Sequence, residues 1–234
     1  AAPDARGLMC FSVREAAELA RRGLYDLFVA YPTLERGALE TLADITEGGK
    51  NVSLAVDSRE AVARLSTVAR RRGVALRVVI CADMSLRLGG GRMHLGVRRS
   101  PLHDPDDVVM MAEAARDAGL TVQGLLGYEA QVAGLGDDSP FDGGVVRLAK
   151  RAIRRASMGE LGDRRARMAE ALRARGFALA FVTGGGTGSM DLTTPATGVT
   201  EVSAGSGLFK PLLFDAYTSD FVRSLEPACF FALE

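Results

Sequence analysis

The sequence predicts an α/β fold of the (β/α)8 TIM-barrel type, with seven of the eight strands represented. Three observations predict it. Short strands, apolar on both sides, alternate with helices through the whole chain, as in a parallel sheet covered on both faces. The βα steps run on without an obvious break. Small-residue loops follow each of the last two strands, Thr183-Gly184-Gly185-Gly186-Thr187-Gly188-Ser189 and Ser203-Ala204-Gly205-Ser206-Gly207, where barrels of this type often bind phosphate. A doubly wound sheet is the weaker alternative, because no glycine fingerprint opens the first βα unit.

Each element has its local reason. Gly7–Phe11 is a short apolar run, and Ser12 with Glu15 forms a capping box for a helix over Val13–Arg22 that Gly23 ends. Asp26–Ala30 is the next strand, and a helix follows Pro32-Thr33 to about Ile45. Val52–Val56 is a strand, Asp57/Ser58 cap a helix to Arg72, and Gly73 stops it. Leu76–Cys81 follows, then a long irregular stretch. Asp104-Pro105 places a cap and an N1 proline before a helix that ends at Gly119. Thr121–Leu126 is a strand, and residues 142–175 are expected to be helical in two pieces broken near Gly159 and Gly162. Ala178–Val182 and Val199–Ser203 complete the set. One strand is missing from the barrel count and the chain opens on a strand at a non-Met residue. The first βα unit is therefore expected upstream of Ala1.

A chain of 234 residues, 47% of them hydrophobic, can bury a large core as a single barrel domain over residues 1–222. Basic and acidic residues balance at 29 each, which gives no support to a nucleic-acid or acidic-membrane partner. The three cysteines, Cys10, Cys81 and Cys229, fit neither a disulfide framework nor a zinc spacing. No apolar run approaches the roughly 18 residues of a membrane span, and no signal peptide is visible. A reducing, cytoplasmic location is the expectation.

The strand ends supply the candidates for chemistry: Tyr31, Asp57, Asp83, Tyr128-Glu129, the glycine loop and Gly205-Ser206. Without Cβ atoms, successive glycines let backbone N–H groups turn around an anion. Asp57 reads first as a helix cap and second as a catalytic acid, Glu129 first as a solvent-facing loop carboxylate and second as a general base, and Glu201 as pointing into the barrel toward a partner. His103 reads as an exposed loop residue. Two histidines far from any cysteine make an internal metal site improbable. Arg147, Lys150, Arg151, Arg154 and Arg155 read as the solvated face of a helix.

Four segments carry a resemblance: Gly7–Ala16, Asp26–Pro32, Thr183–Gly188 and Glu201–Ser206. They resemble the fold-type III pyridoxal-phosphate enzymes of the D-threonine aldolase and D-serine dehydratase group, relatives of alanine racemase, over nearly the whole chain. The resemblance implies a barrel that binds pyridoxal 5′-phosphate through Thr183, Gly184, Gly185, Gly186, Thr187, Gly188, Gly205 and Ser206. It implies a tyrosine beside the cofactor at Tyr128. The family's Gly-x-x-Arg-x-Gly run matches Gly91–Gly96, which puts His94 where an arginine approaches the cofactor ring. Histidine can donate to the ring hydroxyl there, with a charge that depends on pH.

The family holds its cofactor as a Schiff base on a lysine at the end of the first barrel strand. Lys50, Lys150 and Lys210 all lie elsewhere, so that lysine is expected upstream of Ala1. Residues 223–234, with Glu226–Leu233, are expected to begin a C-terminal β domain that supplies a divalent-metal site in some members. The implied activity is a lyase on a β-hydroxy-D-amino acid, by aldol cleavage or dehydration, in an internal piece of a longer enzyme that is itself incompetent. A racemase, a non-catalytic cofactor-binding protein and a sugar-phosphate barrel enzyme are the alternatives. A small-molecule D-amino acid is the expected partner, and a homodimer the expected assembly at full length.

Overall fold

The computed structural model of the chain describes residues 7–89, 92–193 and 198–228. The elements run β1 (Leu8–Cys10), α1 (Val13–Arg21), β2 (Asp26–Val29), α2 (Arg36–Glu47), β3 (Asn51–Val56), α3 (Arg59–Arg72) and β4 (Arg77–Cys81). They continue with β5 (Leu86–Leu88), β6 (Met93–Leu95), α4 (Pro105–Asp117), β7 (Thr121–Leu126), α5 (Ala130–Ala133) and α6 (Gly144–Ala174). Last come β8 (Phe181–Gly184), β9 (Glu201–Val202) and α7 (Asp220–Ser224), with 3-10 turns at Thr187–Ser189, Gly205–Leu208 and Leu212–Ala216.

Seven strands form one sheet in the order β1-β2-β3-β4-β7-β8-β9, and β5 and β6 pair as a separate antiparallel hairpin. Neighbours in the large sheet run parallel, as in Leu27↔Val52, Leu54↔Val78, Ile80↔Leu125 and Thr183↔Glu201. The order never reverses. A doubly wound sheet needs a reversal at its switch point, so the winding is that of a TIM-type barrel.

Local signals explain most boundaries. The Ser12 hydroxyl accepts the Glu15 N–H at 3.2 Å, while the Glu15 carboxylate reaches one residue past the cap, to the Phe11 N–H at 2.6 Å. Ser58 caps α3 by accepting the Ala61 N–H, so the cap is Ser58 and not Asp57. Gly73 ends the helix in the left-handed region at φ 68°. Pro105 occupies N1 of α4, and the Asp107 carboxylate accepts the Asp104 N–H at 3.2 Å.

Other expectations are corrected. The helix expected in two pieces is one, Gly144–Ala174. Each interior glycine costs only about 1 kcal/mol, and a buried stripe of Ser157, Leu161, Arg164, Arg165, Met168 and Leu172 runs past both. The stretch between β4 and α4 contains the β5–β6 hairpin, whose short strands give little periodic signal. The sixth sheet strand starts at Phe181, later than expected, so Thr183 and Gly184 belong to the strand itself. Glu201 is exposed on terminal strand β9 and does not point inward. His103 is mostly buried, with Nδ1 3.0 Å from Asp104 Oδ1. Of residues 223–234, where the β domain was expected to begin, 229–234 lie outside the described residues, as do Cys229 and Gly91.

The chain divides into two compact units, the first taking in described residues of 1–82, 100–126 and 168–181 and the second those of 83–99, 127–167 and 182–234. The first has an aliphatic core that includes Leu39, Leu42, Val52, Leu54, Val78, Ile80 and Leu125, all fully buried. At the N-terminal ends of its strands, Asn51 donates to Asp26 and accepts from Gln123. Gln123 is the extra residue of a bulge, since the register steps from Val78↔Val122 to Val79↔Gly124. A Cβ on Gly124 would meet the Phe181 carbonyl at 2.8 Å. In the second unit, Phe214, Tyr217 and Val222 form a small buried cluster.

These glycines give opposite expectations. Gly124→Ala forces backbone against backbone and should lower stability by about 3 kcal/mol. Gly159→Ala has open space on a helix and should raise it by about 0.5–1 kcal/mol. Urea denaturation of both variants checks the pair.

Candidate functional site

The glycine loop leaves β8 inside the second unit and is gripped at two points by side chains of α6. At its start, Arg165 lies fully buried beside Gly184, where a Cβ would stand 2.5 Å from Nη1. Only glycine leaves room for that guanidinium. Arg165 pairs with Glu129, Nη2 to Oε2 at 3.2 Å, and both side chains have 0% exposure. Glu129 Oε2 also accepts the Gly185 N–H at 3.0 Å, and its Oε1 accepts the Thr193 hydroxyl at 2.8 Å. Glu129 is therefore not the solvent-facing carboxylate the sequence suggested. Burial pulls the Arg165 guanidinium below its ordinary value; Glu129 opposes that and neighbouring Arg164 adds to it.

At the loop's far end, Arg154 Nη2 donates to the Gly188 carbonyl at 2.9 Å and Nη1 pairs with Asp137 at 2.8 Å. Its guanidinium also lies 5.3 Å from the Tyr217 ring centroid. Arg154 and Arg165 stand three helical turns apart, hence on one face of α6. The Tyr217 hydroxyl donates to the Ala133 carbonyl at 2.8 Å, and burial first of all pushes its pKa up to about 12. A Cβ on Gly188 would lie 2.2 Å from that same carbonyl. The basic stripe is a solvated face only in part, with Arg155 exposed. Arg147 and Arg151 pair with Asp138, Lys150 pairs with Asp142, and Arg154 is buried.

Among the expected ligand groups, Thr183 Oγ1 lies 3.1 Å from Ser203 Oγ. The Gly185 N–H goes to Glu129 and the Gly186 N–H to Ser189 Oγ at 3.2 Å, so both donors are engaged within the chain. Thr187 Oγ1 is different. It is buried and has no hydrogen-bond partner among the described residues, and a Cβ on Gly207 would approach it at 3.5 Å. The glycine loop and the Gly205–Leu208 turn thus converge on an unanswered hydroxyl. Gly205 and Ser206 are exposed beside it. Tyr128 is half-buried, its ring 3.2 Å from where a Gly186 Cβ would stand and 5.5 Å from the Arg99 guanidinium.

His94 stands on β6 across from Arg87 of β5, and its Nε2 is buried with no hydrogen-bond partner among the described residues. Gly96 packs against Gln131, so close that a Cβ would stand 2.6 Å from Oε1. Asp83 is buried and fastened by the Ser85 N–H and hydroxyl and by Arg87. Burial would raise its carboxyl, but those hydrogen bonds and the Arg87 charge hold it below the usual range. Asp137 behaves alike, with Thr218 and Arg154 overriding burial. Tyr31 is exposed and stacks on Phe11 with ring centroids 4.9 Å apart.

The sequence reading missed Arg164, Arg165, Asp137 and Thr193. A signal for the arginines was present, because both fall on the apolar stripe of α6. Arg164 donates to the carbonyls of Asp83 at 2.6 Å and Ser85 at 2.9 Å and pairs with Glu160 at 2.7 Å. Among the described residues, no three His, Cys, Asp or Glu gather as a metal set, and no helix is long and apolar enough to cross a membrane. Cys10 and Cys81 are buried and form no disulfide among the described residues.

Residues 1–211 match the family profile described as alanine racemase, N-terminal domain. The chain is 31% identical over 204 residues to a 3-hydroxy-D-aspartate aldolase of Paracoccus denitrificans, covering 87% of this chain and 46% of that protein. D-threonine aldolase from Filomicrobium marinum superposes with TM-score 0.72 at 24% identity, over 96% of this chain and 54% of that one. D-threo-3-hydroxyaspartate dehydratase from Delftia sp. HT23 superposes at 0.63 with 25% identity, over 92% and 50%, and a variant of that dehydratase has been solved in a metal-free form. The chain spans about half the length of the relatives it matches.

The two carboxylates give a pH expectation. With folded-state pKa values lowered from 3.8, Asp83 and Asp137 contribute stability that is fully present above that value. It is lost as pH falls through the lower folded values. Melting temperature should drop steeply below about pH 4, and Asp137→Asn should flatten that limb, while costing about 3 kcal/mol at pH 7 by leaving buried Arg154 unpaired. Thermal melts between pH 2 and 7 check both.

Proposed function

Because the chain belongs to the alanine racemase N-terminal domain family, we propose that it is the pyridoxal-phosphate-holding barrel of a lyase acting on β-hydroxy-D-amino acids. One observation carries the cofactor reading. Buried Thr187 Oγ1 has no hydrogen-bond partner among the described residues and faces the Gly205–Leu208 turn, an arrangement that a phosphate ester oxygen would complete. Thr187, Gly205 and Ser206 would hold that phosphate. Tyr128, seated against Gly186, would present its ring and hydroxyl to the rest of the cofactor.

When bound, the cofactor's conjugated ring supplies a sink for the negative charge that develops at Cα of an amino acid. The chain's own contribution is to fix the phosphate end and exclude water beneath the loop, where Glu129 and Arg165 close the floor. The substrate class follows from the relatives, whose names specify 3-hydroxy-D-aspartate and D-threonine, both β-hydroxy-D-amino acids. Aldol cleavage and dehydration are both represented among them. A divalent metal belongs to the proposal for a full-length protein only.

The lysines favour a second reading for this chain by itself, that of a cofactor holder without covalent chemistry. Lys50 donates to the Gly23 carbonyl, Lys150 pairs with Asp142 and Lys210 with Asp215. None stands at a strand end beside the glycine loop.

Equilibrium dialysis with pyridoxal 5′-phosphate tests the cofactor reading. The wild-type chain should bind it in preference to pyridoxal, and borohydride should leave no pyridoxyl-lysine. Thr187→Val should weaken pyridoxal-phosphate binding about tenfold, as expected for losing a hydrogen bond to a charged group, with stability unchanged or raised. Equal binding of the two aldehydes by the wild type would sink the reading.

A further inference from the structure

We propose that Glu129 and Arg165 form a positioning pair that sets the phosphate-binding conformation of the glycine loop, an inference that rests on the cofactor reading above. Glu129 is fully buried, yet each of its carboxylate oxygens accepts a hydrogen bond: the Gly185 N–H at 3.0 Å and the Thr193 hydroxyl at 2.8 Å. Gly185 sits at φ +74°, in the left-handed region, so its N–H direction is imposed by backbone that few other residues adopt. Arg165 fills the space that a side chain on Gly184 would need. The pair therefore fixes two consecutive loop residues, one through its hydrogen bond and one through its volume.

Holding Gly185 inward decides what the loop can offer outward. With the Gly185 and Gly186 donors engaged inside, the loop's polar capacity for a ligand moves on to Thr187, whose hydroxyl lacks a partner among the described residues. Thr193 returns the far side of the loop to the same carboxylate, and its hydroxyl also lies 3.3 Å from Ser189 Oγ. One carboxylate thus ties the entry and the exit of the loop together.

Stability alone is a poor explanation for the pair. Buried ion pairs are often no more stabilising than apolar residues of equal volume. Here Arg165 also keeps Nε and Nη1 without hydrogen-bond partners among the described residues, an expensive arrangement. A guanidinium retained under those terms is better explained by the loop conformation that it and Glu129 enforce.

The test measures the ratio of pyridoxal to pyridoxal-phosphate dissociation constants, together with the melting temperature. Glu129→Ala should reduce the preference for the phosphate ester about tenfold while pyridoxal affinity stays constant. The double variant Glu129→Gln/Arg165→Met keeps an acceptor for Gly185 and removes both charges, and should keep the ratio within about threefold of wild type. A lowered melting temperature with an unchanged ratio in Glu129→Ala would overturn the proposal. If that variant does not fold, the nearly isosteric Thr193→Val decides: a ratio reduced about threefold supports the pair, and an unchanged ratio overturns it. A wild type that shows no preference for the phosphate ester refutes the cofactor reading instead, so the two failures are distinguishable.

Discussion

The ion pair between Glu129 and Arg165 is the interaction on which the second unit depends. Taking two charges fully out of water costs several kcal/mol per ion, and mutual attraction offsets this only when the remaining hydrogen-bonding capacity is used. Glu129 uses its capacity on the glycine loop and on Thr193. Arg165 leaves donors unanswered. The asymmetry means that the carboxylate cannot be removed without stranding a buried cation, and the loop conformation is held by the same constraint.

Helix α6 delivers that constraint with one repeated device. Arg154 and Arg165 occupy positions of its buried stripe, and each meets a carboxylate from the segment after β7, Asp137 and Glu129 respectively. Each also touches an opposite end of the glycine loop. Arg164, adjacent in sequence, turns to the loop after β4 and binds its carbonyls. Three arginines of one helix therefore hold the segments that follow β4, β7 and β8. In a barrel-type winding those are the C-terminal strand ends, where functional groups collect.

Two of the segments that carry the family likeness, Thr183–Gly188 and Glu201–Ser206, lie in the second unit. The glycine loop and the Gly205–Leu208 turn meet around Thr187. His94 stands on a hairpin opposite Arg87, its Nε2 without a hydrogen-bond partner among the described residues. The lysines are all committed to other partners. Holding a phosphate and reacting with an amine are separable tasks, and the function proposed above assigns this chain the first.

The sequence by itself determined the alternation of strands and helices, the cap at Ser12, a cap at Asp57 or Ser58, the stop at Gly73 and the two small-residue loops. Each depends on residues within a few positions, so backbone propensity and hydrophobic period suffice. The family likeness was legible for the same reason, since its motifs are contiguous. Only the tertiary structure decided that Glu129 turns inward, that Glu201 faces out and that Arg154 and Arg165 are buried. Those outcomes rest on partners far along the chain, as with Gly185 and Thr193, which reach Glu129 across 56 and 64 residues. A charged residue on an apolar stripe signals burial, but the group that neutralises it is chosen by the packing of distant segments, which no local pattern encodes.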